Sequence, residues 1–333
     1  MSDGARTGGL GLRRAAAPNG VRWRVRLPKS VRSSPVLDGD LLFVTCLDGF
    51  LHAIDITSGR HAWKYNAGIS IHSTPSLAGN MVLFGSDDGK VHCLEAKSGR
   101  VIWAAATGAE VWPSPVVESG KAFFGSPDGN FYAVKLDTGE RVWVRELGVR
   151  IYSTAFASGE RLYFGCGDNR VYCLETLSGK VVWSTTTNDV IDSSPAVIGD
   201  TVLVGSEDFA VYALDAASGR VHWKFETGLG ISSSPAVSGG TAYIGSKDHF
   251  LYALETATGN LNWKTDLGTS ITAPPVVADG VVCIQAGGLY ALETSTGKVV
   301  WRAALGGSLQ SAPVLTGSNI YISGIQGIVY ALE

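Results

Sequence analysis

Eight positions in this chain carry residues equipped for chemistry, at a nearly constant interval: Arg32, His72, Trp112, Tyr152, Asp192, Ser232, Thr272 and Gln310. The residue before each is always aliphatic and the residue after it is usually Ser. A column that changes at every step between constant neighbours answers to a different demand from theirs. His72 is a candidate general acid or base near neutral pH. Asp192 and Tyr152 belong to adjacent units and form a candidate second proton-transfer pair. Arg32 can hold a carboxylate or phosphate bidentately, and Trp112 offers a stacking wall. Two residues earlier, on the same side of an extended chain, stand Glu110 and Arg150. Ser232, Thr272 and Gln310 add polar contacts. A nearby turn supplies Asp87, Lys90, Arg170, Glu207, Lys247 and His249.

The interval belongs to the whole chain. Trp23, Trp63, Trp103, Trp143, Trp183, Trp223 and Trp263 stand 40 residues apart, and Trp301 follows after 38. Each unit begins with an aliphatic residue, a variable residue and Ser-Ser-Pro-Val or a relative of it. A short turn leads to an apolar run ending in Gly-Ser, as at Ser86 and Ser246. A second turn carries Asp48, Asp88, Asp128, Asp168, Asp208 or Asp248. Val-Tyr-Ala-Leu-Asp/Glu and a Ser/Thr-Gly turn precede the segment that ends in Trp. Four short strands per 40-residue unit, with no helical periodicity, predict a β-propeller blade. Pro35 and its equivalents fall in the first strand, which suits an innermost strand with one edge facing a channel.

The eighth unit stops at Glu333, before its fourth strand, while an orphan strand around Trp23 sits at the other end. Pairing the two predicts an all-β, eight-bladed propeller, four antiparallel strands per blade, closed by the N-terminal strand. Residues 1–17 are expected to be a flexible segment and 18–333 a single propeller. The column would then ring one mouth of the channel, where loops on a rigid scaffold carry function.

The repeat Ala-Leu-Asp/Glu-x-x-Ser/Thr-Gly-x-x-x-Trp resembles that of pyrroloquinoline-quinone-type propellers over residues 20–333. That superfamily includes quinoprotein alcohol dehydrogenases, a bacterial outer-membrane-assembly lipoprotein and sensor domains of bacterial kinases. The resemblance implies that the repeat Trp and Gly dock one blade on the next. The quinoprotein enzymes use an adjacent Cys-Cys disulfide, a calcium site and often a haem domain. This chain has no adjacent Cys pair and no Cys-x-x-Cys-His, so no cofactor is expected. No lipid-anchor Cys follows an apolar leader.

Composition narrows the rest. With 27 basic and 30 acidic residues and a net charge of −3, there is no electrostatic footprint for nucleic acid or an anionic membrane. No apolar stretch approaches the roughly 18 residues of a membrane span, and no signal-like h-region is present, so a cytoplasmic protein is expected. The repeat acts as a ruler for the five cysteines. Cys93 and Cys173 replace Ala, Cys46 and Cys166 replace Ser, and Cys283 replaces an aromatic residue or Leu. All five read as reduced, buried thiols. His52 and His92 replace Tyr and read as packing, His61 and His222 read as exposed, and the recurrent turn Asp reads as structural. No metal site is expected.

In blade seven the second turn, at Gln285, Ala286, Gly287 and Gly288, is two residues shorter than its counterpart at Gly245 to Phe250. This predicts a notch in the rim. The reading that follows is a monomeric, cofactor-independent enzyme acting on a small organic molecule by acid–base chemistry: isomerisation, cyclisation, elimination or hydrolysis. The alternative is a non-catalytic interaction or sensor scaffold that binds a protein on its rim through Leu47, Phe50, Phe209 or Phe250. A quinone-dependent dehydrogenase is the third reading.

Overall fold

The computed structural model describes Pro18 and residues 20–305, 311–317 and 319–333. Those residues form eight four-stranded antiparallel sheets and no helix. Blade one comprises Val36–Asp38, Leu41–Thr45, Phe50–Asp55 and His61–Asn66. Blades two to seven repeat the pattern in chain order. Blade eight is composite: Val21–Arg26 pairs with Ile328–Leu332, outside Asn319–Ser323 and Val314–Thr316. The ring is therefore closed by the N-terminal strand, as the orphan strand predicts. The expected flexible segment, 1–17, lies outside the described residues.

The first strand of every blade is only three residues long, and those of blades one to four and of blades five to seven touch their neighbours. This corrects one expectation. Pro35 immediately precedes its strand, and Arg32 lies in the unpaired stretch before it. The column thus stands on extended loop, free of ladder bonds and able to point into the mouth. The two middle strands are apolar on both faces, because each sheet is sandwiched between neighbours. Each core group accordingly draws on two blades: Leu83, Val91, Cys93 and Trp103 of blade two pack with Val111, Ala122 and Phe124 of blade three.

The junctions repeat. Trp103 Nε1–H donates to the Leu136 carbonyl at 2.8 Å, and Trp23 makes the same bond to Ile56 at 2.7 Å across the seam. The indole lies flat on the next blade's Ser/Thr-Gly turn, where a Cβ on Gly139 (φ +71°) would come within 2.6 Å of the Trp103 ring. Glycine is required there by both its backbone and its lack of a side chain. A second constraint sits in the second strand, where a Cβ on Gly125 would meet Ile151 of the next blade at 2.4 Å.

A belt of hydrogen bonds runs round the channel wall. The backbone N–H of Ser34, Thr74, Ser114, Thr154 and Ser194 each donates to the hydroxyl 40 residues on, at 2.9–3.2 Å. The Ala312 N–H returns to Ser34 Oγ at 2.9 Å. Pro274 occupies the corresponding place in blade seven and supplies no hydroxyl. The preceding serines (Ser33, Ser73, Ser153, Ser193) are buried and donate to strand carbonyls. The Ser-Ser pattern is thereby accounted for as scaffold.

Candidate functional site at the channel mouth

The side chains of blades two to four meet. The His72 and Trp112 rings lie 5.0 Å apart, Trp112 stacks on Tyr152 at 5.1 Å, and the Arg150 guanidinium caps Tyr152 at 5.8 Å. Trp112 is 41% exposed, so this aromatic ladder keeps a face open to the mouth. Asp87, in the second turn of blade two, ties the ladder down. Its Oδ1 accepts the Trp112 Nε1–H at 2.9 Å, and its Oδ2 lies 3.5 Å from His72 Nε2. Sequence reasoning placed Asp87 on this face without giving it a part. The signal was available, because the turn residue after Ser86 follows the strand that borders the column.

Burial lowers the His72 pKa below the ordinary histidine value; Asp87 opposes that shift and Arg32 adds to it. Burial raises the Asp87 pKa, with His72 and the Trp112 bond pulling the other way. The pair therefore holds a neutral imidazole near neutral pH, next to a carboxylate able to steady its protonated form. Glu110 is exposed and reaches the cluster only through its charge, which raises Asp87 further.

Blades five and six carry a second polar group. Lys247 Nζ bridges both oxygens of Glu207 at 2.7 and 2.8 Å. The Glu207 carboxylate end lies against Gly230, where a Cβ would have to push it aside. Asp192 is open to solvent, yet the surrounding walls crowd it; that crowding, then Glu207, raises its pKa, and Lys247 opposes. No hydrogen bond joins Asp192 to Tyr152 among the described residues. Tyr152 stands in the aromatic ladder, and Asp192 feels the charge of Glu207. Ser232 is half-buried and Thr272 exposed on the same wall. His249 is exposed, at a φ of +80°. Gln310 lies outside the described residues.

On the rim, Leu47, Phe50 and Phe250 are half-buried, while Phe209 is 47% exposed at a φ of +71°. Five of the recurrent turn aspartates (Asp48, Asp88, Asp128, Asp208 and Asp248) accept the N–H two residues on and so fasten their own turns; Asp128 takes the Asn130 N–H at 2.8 Å and also the Tyr132 hydroxyl at 2.5 Å. All five thiols are free and buried, and burial pushes each up to about 12. They sit singly, on separate strands or strand ends, and cannot supply the adjacent disulfide of quinone enzymes. Among the described residues no helix is long and apolar enough to cross a membrane.

Eight four-stranded blades with a Trp docked at successive junctions define an eight-bladed propeller of the pyrroloquinoline-quinone-like class. The family model described as outer membrane protein assembly factor BamB matches residues 13–148, 66–207 and 251–333. The matches span more than half of the sequence, and the chain belongs to that family. Among solved structures, BamB from Moraxella catarrhalis is 19% identical, with a TM-score of 0.82 over 94% of this chain and 99% of that one. A europium-containing methanol dehydrogenase is 13% identical, with a TM-score of 0.82 over 94% of this chain and 93% of that one. The computationally designed Ika8 protein is 15% identical, with a TM-score of 0.82 over 92% and 98%. At these identities the likeness is one of fold. No curated protein sequence matches the chain.

Proposed function

We propose that this protein binds a small, flat organic acid at the mouth of blades two to four and moves a proton on it through His72. The observation that carries the reading is the contact of Asp87 with both His72 and Trp112. It couples a titratable imidazole to an exposed aromatic wall of the mouth. A planar ligand would stack on Trp112 and Tyr152, and Arg32 or Arg150 would hold its acid group. His72, neutral near pH 7, would take the proton, and Asp87 would steady the imidazolium formed. Asp192, on blade five, would serve as the second acid of the mouth. The chemistry stays within isomerisation, cyclisation, elimination or hydrolysis. The short turn of blade seven offers the way in.

The test is a panel of conjugated and aromatic carboxylic acids, screened for retention and turnover on the full chain. His72→Gln should abolish turnover while binding persists, and Trp112→Ala should weaken binding at least about tenfold, the value of one lost stacking partner. Equal turnover by His72→Gln and wild type would sink the reading.

A second reading, a protein-binding rim, draws on Phe209. A bulky residue held at positive φ is strained, and strain of this kind clusters at sites that clamp a ligand or switch. Loss of a captured partner in Phe209→Asp, with small-molecule binding intact, would favour it.

A further inference from the structure

Beneath the rim of blade one, the Cys46 thiol, an Asp48 carboxylate oxygen and a His52 ring nitrogen all lie within 4.8 Å of one another. Ligand atoms about 2.0–2.3 Å from a tetrahedral zinc stand roughly 3.3–3.8 Å apart, so small side-chain rotations would bring these three to one ion. We propose that they form a structural site for a zinc-type divalent cation.

Each residue departs from or completes the repeat in the same blade. Other blades carry Ser at the Cys46 position (Ser86, Ser126, Ser206, Ser246) and Tyr at the His52 position (Tyr132, Tyr172, Tyr212, Tyr252). Blade two has His92 against Asp88, but with Ser86. Blade four has Cys166 and Asp168, but with Tyr172. Only blade one combines a thiol, a carboxylate and an imidazole, one of each donor type that zinc accepts.

The surroundings fit a metal. The side chains of His52 and Asp48 are 4% and 5% exposed, and Cys46 is fully buried. His52 Nδ1 lies 2.9 Å from His61 Nε2. A ligating histidine needs such an acceptor for its second ring N–H, and the partner fixes which nitrogen faces the metal. Without an ion, His61 donates to His52, and His52 donates to Asp48 at 3.1 Å. With an ion, both imidazoles shift tautomer: His52 Nδ1–H donates to His61, and Nε2 turns its lone pair to the metal. The thiol gives up its proton to solvent, so one proton leaves per ion bound. The fourth position falls to water or to the Lys29 or Ser30 carbonyl, 3.4 and 3.5 Å from Cys46 Sγ.

The place of the site gives it a purpose. Cys46 packs with Leu27, Val31, Tyr321 and Val329 at the junction of the last blade with the first. The Leu47 N–H also donates to the Ser30 carbonyl at 3.0 Å. A bound ion would therefore pin the turn of blade one beside the segment that leaves the closing strand.

The experiment uses the full chain, produced in medium supplemented with zinc or cobalt and dialysed against a weak chelator. Wild type should retain one ion per chain and melt higher than after exhaustive chelation. The cobalt form should show a thiolate-to-cobalt charge-transfer band. Cys46→Ser and His52→Tyr restore residues that other blades carry, so the fold is expected to survive. Each should weaken retention more than about 100-fold, beyond the loss typical of an outer partner, and Cys46→Ser should erase the band. His61→Ala should weaken binding about 10–100-fold and keep the band. His92→Tyr should bind as wild type does. A wild-type protein that holds neither metal, or Cys46→Ser and His52→Tyr variants that retain it equally, would overturn the proposal and leave an ordinary His–Asp hydrogen bond.

Discussion

At the scale of single residues, the same physics gives His72 and His92 different consequences. Both are held below the ordinary histidine pKa by burial, opposed by a neighbouring aspartate. On the proposed function, the lowered His72 pKa would set a working range: turnover should fall as pH drops through it, and Asp87→Asn should move that limb further toward acid. A kcat profile against pH reads this directly. His92 is 4% exposed and stacks on Phe84, so its shift becomes a stability term. The native state binds fewer protons than the unfolded chain there, so stability is lost as pH falls below 6.5. His92→Tyr should flatten that acid loss, read as thermal midpoint between pH 7 and 5. The column was legible in the sequence because eight unlike residues stood between constant neighbours. The blade-one cluster was not. The ruler judged Cys46 and His52 one at a time, each against a bland slot. The coincidence of both departures around a single Asp was the available signal.

At the scale of elements, blade junctions depend on a Trp that is both wedge and donor. Trp103→Ala removes its bond to Leu136 and leaves a void between two sheets, and should cost about 3–5 kcal/mol. Gly139→Ala keeps the indole but drives a methyl into it, and should cost about 1–3 kcal/mol from overpacking alone. Chemical denaturation of each variant measures both. The fourth strand reaches its Trp across a bulge, since Ala133 pairs with Trp143 but Val134 pairs with Arg141. The extra residue turns the outer strand and aims the indole at the neighbouring blade. The sequence shows the four-strand rhythm through its turn residues. It does not show the length of the innermost strand, because Ser34 and Pro35 read as its continuation, whereas the Ser34 N–H goes sideways to Thr74 of the next blade.

At the scale of the whole molecule, the ring has one junction that is not covalently continuous. Val21–Arg26 lies on Ile328–Leu332, and Trp23 reaches over to Ile56 of blade one. Deleting residues through Val25 leaves blade eight without its outer strand and blade one without its indole. The thermal transition should move down by many degrees, and an unchanged midpoint would mean that the ring does not need its clasp. Ring closure was readable from the two ends of the chain, because a unit lacking one strand and a strand lacking a unit have one economical solution.

That clasp also imposes a schedule on biosynthesis. The closing strand leaves the ribosome roughly 300 residues before its partner, a wait on the order of 15–60 s at ordinary elongation rates. Throughout that interval it is a bare strand with open hydrogen-bonding edges in a crowded cell. Its sequence, Val-Arg-Trp-Arg-Val-Arg, places Arg22, Arg24 and Arg26 on the side that stays exposed after closure. Charges so spaced repel stray strands of like kind while the partner is still being made. Part of their value thus lies in the seconds of a protein's making, before the ring exists for a static view to show.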